Sequence, residues 1–124
     1  MRLARRFIAL VALVVLFETV LAVRAEAASG AIAYSPVTGY YGYSFGRDCL
    51  TNAEIAALQN CNGLDHRVVV SVENGYAALA VNNNGGYGAA WSTRCQADAD
   101  QAALNFAGGP GCGAHILCEV ATGD

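Results

Sequence analysis

The sequence predicts an α+β domain, two tandem β-β-α-β repeats forming one mainly antiparallel sheet of about six strands with two helices on one face. Three observations lead there. First, the chain repeats itself. At a shift of 46 residues, Gly39, Tyr41, Gly42, Cys49, Ala53, Ala56, Ala57, Leu58, Gly63 and Glu73 fall on identical residues, from Gly85 to Glu119. Phe45 lands on Trp91, Glu54 on Asp100 and Val70 on Ile116. This is well above the chance level for the composition and marks a duplicated supersecondary unit. Second, each copy holds one alanine-rich stretch of helical composition. Third, short aromatic or β-branched runs, bounded by Gly, Asn and Pro, flank that stretch on both sides.

In chain order, residues 1–27 read as a secretory signal peptide. Arg2, Arg5 and Arg6 form a positive start, Phe7 to Phe17 an apolar run, and Ala25-Glu26-Ala27 a small-residue cleavage site. The apolar run falls well short of the roughly 20 residues that cross a bilayer. Residues 28–124 are then a single domain with internal duplication, 31–76 and 77–124. In the first unit, Ala31 to Tyr34 leads through a Pro- and Gly-containing loop into Tyr40 to Phe45. In the second, Ala78 to Val81 leads through an Asn- and Gly-rich turn into Tyr87 to Trp91. Thr51 and Glu54 have the spacing of a capping box at the first helix. Asp98 and Asp100 place negative charge at the start of the second. Arg67 to Val72 and Ala114 to Cys118 close the units as strands.

Charge narrows the partners. Residues 28–124 hold only Arg47, Arg67 and Arg94 against eight acidic side chains, a formal charge of −5. Such a surface repels phosphate backbones and anionic lipid, so neither nucleic acid nor, after signal cleavage, a membrane is expected as partner.

All five cysteines, Cys49, Cys61, Cys95, Cys112 and Cys118, lie in this part. In an oxidising compartment they are disulfide candidates first, and their odd number leaves one thiol free or paired with another chain in a dimer. Cys49 and Cys95 occupy equivalent positions, so a bridge across a pseudo-two-fold is one option, with another among the remaining three. Paired C-x-x-C ligands for zinc are absent, and an acidic domain offers no setting that activates a thiol. We therefore expect no cofactor and no metal. His66 and His115 are the two histidines; no nucleophile elbow accompanies any serine, so no catalytic residue is assigned.

The aromatic residues of the second strand, Tyr41, Tyr43 and Phe45, alternate onto one face, with Tyr87 and Trp91 matching them. The expectation is that Phe45 and Trp91 are core under the helices. Tyr40 and Tyr41 are the aromatics expected to be exposed for binding. Arg47 with Asp48, and Arg94, are expected to form local ion pairs at the strand-to-helix junctions.

The segments AIAYSPVTGYYGYSFG, RVVVSVENGYAALAV and NNNGGYGAAW, in that order around an alanine-rich helix ending near Cys61, resemble the bacterial secreted domain of unknown function 4189. The resemblance runs from Ala31 to about Val120. It implies a small exported protein without established activity or cofactor, and therefore no catalytic residues. Members of that family often carry cysteines where this chain has His66 and Tyr76, so the resemblance lends no disulfide pattern. The functional expectation is a non-enzymatic module, secreted or periplasmic, that binds a protein partner. A small secreted hydrolase or cell-wall-active enzyme is the alternative, and a carbohydrate-binding module a further one.

Overall fold

The structure, a computed structural model, describes residues 28–122. The signal peptide expected over residues 1–27 lies outside them. The elements are β1 (Ser29–Tyr34), β2 (Tyr41–Arg47), α1 (Leu50–Gln59), β3 (Arg67–Glu73), β4 (Tyr76–Val81), β5 (Tyr87–Ser92), α2 (Gln96–Phe106), a 3-10 turn at Pro110–Cys112, and β6 (His115–Ala121). Among the described residues, two helices and six antiparallel strands make the α+β class expected from the sequence.

The sheet arrangement differs from that expectation. There are two three-stranded sheets, ordered β2-β1-β3 and β5-β4-β6, not one of six. The reason lies in the two central strands, which alternate small and large side chains. On β1, Ala31 and Ala33 face α1, while Ile32 and Tyr34 face the opposite way. On β4, Ala78 and Ala80 face α2, while Ala77 and Leu79 face the opposite way. A single sheet with both helices on one face would leave Ile32, Tyr34 and Leu79 in water. Packing the sheets face to face buries them with Val70, Val72, Cys118 and Val120 in one shared core. Ile32 and Leu79 are fully buried there, each stabilising the fold by about 2 kcal/mol relative to exposure. Tyr34 and Tyr87 meet across this interface with ring centroids 5.1 Å apart. The result is four layers: α1, first sheet, second sheet, α2.

Each helix sits against a floor of small residues. At Gly42 an added Cβ would stand 2.5 Å from the Ala57 carbonyl oxygen, and at Gly88 the same distance from that of Ala103. Only glycine permits that approach. Ser44, next on the helix-facing side of β2, donates its hydroxyl proton to the Ala53 carbonyl at 2.6 Å.

The two halves also share their irregularities. The β1–β3 ladder skips Val69, and the β4–β6 ladder skips Leu117. Those bulges set Val68 and Val70 against Ile116 and Cys118, so this last strand pair corresponds at 48 residues, two more than the helices. The capping box does not form. Cys49 is the N-cap of α1 and Cys95 that of α2, both extended and neither donating a side-chain cap. Thr51 falls inside the first helical turn.

Candidate functional site

Because Gly42 and Ser44 take the helix side of β2, the pleat sends Tyr41, Tyr43 and Phe45 to the other side. β2 is the outer strand of its sheet and pairs only with β1. The shared core is built from β1, β3, β4 and β6, leaving the β2 aromatics uncovered. Phe45 is 61% exposed and Trp91 59%, so neither is core under a helix, contrary to the expectation from sequence. The helices leave no room for a ring, as Gly42 and Gly88 already signal in the sequence. Tyr43 and Phe45 stand nearly parallel, their centroids 6.4 Å apart with 13° between planes.

Of the two tyrosines singled out from the sequence, Tyr40 sits just before β2 and Tyr41 begins it, both exposed. Tyr41 lines a groove of about 360 Å³ together with Tyr43, Phe45, Arg47 and Asn60. Asn60, one residue beyond α1, donates its side-chain amide to the Tyr43 carbonyl at 3.1 Å. Tyr43, Phe45, Arg47 and Asn60 were not singled out from the sequence as site residues. Their signal was the small-residue alternation of β2, which fixes the aromatic side of the strand.

The arginines divide. Arg67 pairs with Asp65 at 3.0 Å and Arg94 with Asp98 at 3.3 Å. Arg47 makes no ion pair among the described residues, and the expected Arg47–Asp48 pair is not formed.

All five cysteines are unbridged. Cys49 is the N-cap of α1 and Cys95 that of α2, the helices of the two outer layers. Cys61 is buried beneath α1 and Cys118 between the sheets, in separate layers. Burial pushes the Cys118 thiol up to about 11, helped by the negative charge of Glu119. Burial also pushes Cys61 up, partly offset by a backbone hydrogen bond at Gly63. Such thiols stay protonated and behave as packing groups. Cys112 is half-buried in the 3-10 turn, and Cys49 is exposed.

The histidines lie apart, His66 in the loop before β3 and His115 at the first position of β6. The Nδ1 of His66 is 2.7 Å from the Gly63 carbonyl, and that of His115 3.1 Å from the Gly113 carbonyl. Each ring is thus tied to its own turn and to no serine, cysteine or carboxylate. Asp98 lies in the first turn of α2, where negative charge suits the helix dipole. Asp100 instead meets Glu119 of β6, and Gln96 donates to Asp100 at 3.0 Å. The Asp100 hydrogen bond first, then desolvation and repulsion, hold Glu119 above the usual carboxylate range. Among the described residues no group of three or more His, Cys, Asp or Glu could hold a metal ion. No helix among them is long and apolar enough to cross a membrane.

The sequence profile of the domain of unknown function DUF4189 matches residues 29–122. The chain belongs to that family, in agreement with the resemblance seen in its strands. No curated protein matches. Among solved structures, the NMR structure of Rv1813c from Mycobacterium tuberculosis is similar, with a TM-score of 0.58 and 24% sequence identity, over 76% of this chain and 74% of that one. That likeness concerns the fold.

Proposed function

We propose that this member of the family is an exported, non-enzymatic domain that binds another protein through the open side of β2. The observation that carries the reading is the row Tyr41, Tyr43 and Phe45, exposed side by side on an outer strand. Contiguous large apolar side chains left in water mark an interaction surface. Both histidines are engaged by glycine carbonyls two or three residues before them, which weighs against the hydrolase alternative. Export rests on the composition of residues 1–27, and the acidic surface argues against nucleic acid and membrane as partners. A periplasmic and a fully secreted location both fit.

The test is capture from envelope and host extracts with the parent protein and with the Tyr43→Ala/Phe45→Ala double variant. A specific protein held by the parent and lost by the variant is expected. Recovery of none, or of one indifferent to the variant, contradicts the reading. A second reading, carbohydrate binding, is favoured by the near-parallel Tyr43 and Phe45 rings, and binding of a glycan array in place of any protein would select it. Intact mass with and without reductant is expected to lack residues 1–27 and to show whether exposed Cys49 forms a dimer. A mass retaining Met1 to Ala27 contradicts export as framed.

A further inference from the structure

We infer that the groove between β2 and α1 takes an extended peptide as an added strand, with an acidic group of that peptide held by Arg47. This rests on the protein-binding reading and names its partner chemistry. The groove has two walls. One is the outer edge of β2, whose main chain pairs with β1 on one side only. The other is one stripe of α1 and its cap, Asn52, Ile55, Ala56, Gln59 and Asn60, at spacings of three and four residues. The aromatic groove of about 360 Å³ and a second of about 330 Å³ along the helix both include Arg47, so they meet there.

That geometry suits strand addition. The open edge supplies main-chain hydrogen bonds, and the peptide's alternating side chains reach α1 on one side and the aromatic row on the other. The Tyr43 carbonyl already accepts from the Asn60 amide, which an added peptide N–H would displace. The other edges are less suited. β3 and β6 each carry a bulge in mid-strand, at Val69 and Leu117, whereas the irregularity of β2, at Phe45–Gly46, lies near its end and leaves the run from Tyr41 to Ser44 regular. At a shift of 46 residues Arg47 falls on Thr93, one residue beyond β5, so that edge has no arginine there.

Charge sets the partner's sign. Against the acidity of the domain as a whole, Arg47 is the one arginine without an acidic partner within ion-pair distance among the described residues, with Asp48 lining the same second groove. An exposed guanidinium presents a planar fork that matches a carboxylate.

The probe is a random peptide library displayed on phage, panned on the secreted protein. Selected peptides are then titrated into isotope-labelled protein and followed by amide shifts. The expected result is enriched sequences with alternating apolar positions and an Asp or Glu at one end, shifting residues 41–47 and 52–60. Arg47→Glu is expected to weaken binding roughly tenfold, and Arg94→Glu to leave it unchanged. No enrichment, shifts centred elsewhere, or equal affinity for the Arg47→Glu protein overturns the inference. Soluble hyaluronate shifting residues 41–47 where no peptide does also overturns it, in favour of an anionic glycan. A captured protein partner that ignores Arg47→Glu sinks the groove but leaves the protein-binding reading standing.

Discussion

The two halves of this domain have the same skeleton and different outer surfaces. Where packing dictates the residue they agree: Gly42 with Gly88 under the helices, Ala53 with Ala99 and Ala57 with Ala103 on the helices' inner sides. Where water is the neighbour they part. Tyr41 lies open, but its counterpart Tyr87 turns into the core against Tyr34. Arg47 is matched by Thr93 and Ile55 by Gln101. The scaffold is thus common to both halves, and the peptide groove belongs to the first half alone. Shared positions report packing, and the diverging ones report what each half can bind.

The largest effects should be symmetric, because the inter-sheet core belongs to both halves. Ile32→Ala and Leu79→Ala are each expected to cost about 3–4 kcal/mol in urea unfolding. A mild loss at either site would break the picture of one shared core. Next come Gly42→Ala and Gly88→Ala, which push a methyl group against a backbone carbonyl and should each cost about 1–3 kcal/mol. Unequal losses would mean that only one helix lies so close to its sheet.

A smaller effect separates the halves. Glu119 faces Asp100, whereas at the corresponding positions Ser71 stands near Glu54. With its folded pKa raised, Glu119 contributes stability while protonated. That contribution is full below the ordinary carboxylate pKa and is lost as pH rises through the raised value. Glu119→Ser is therefore expected to lower Tm near pH 4, where the protonated Glu119 is held by Asp100, to change it less at pH 7, and to flatten the pH profile between them. No change in the profile would mean that the two carboxyls do not interact. The smallest effects on stability belong to the exposed rings. Phe45→Ala and Trp91→Ala should each stay within about 0.5 kcal/mol of the parent, and a larger loss at Phe45 would place it in the core after all.

The local elements were legible because their signals are local. Alanine-rich runs mark both helices, and the Asn- and Gly-rich turn marks the β4–β5 hairpin. The division into two sheets was not, although its trace is in the sequence. Ile32 between two alanines, and Leu79 likewise, tell of two different faces but not of what covers the larger one. That cover is the other half of the chain, a long-range contact. The correspondence of β3 with β6 slipped by two because the bulges at Val69 and Leu117 were invisible and the preceding loops differ in length. At the site, the sequence marks Tyr41 as exposed but places Phe45 in the core, where aromatics usually go. Gly42 and Ser44 override that tendency by bringing α1 too close for a ring.

The most direct test of this asymmetry compares two positions in the living cell. A photo-crosslinking amino acid at position 45 reports on the β2 side, and one at position 91 reports on the β5 side. We expect a discrete protein adduct from position 45 and none from position 91, lost when Arg47 is changed to glutamate. Equal adducts from both positions, or an adduct from position 91 alone, would contradict the assignment of binding to the first half.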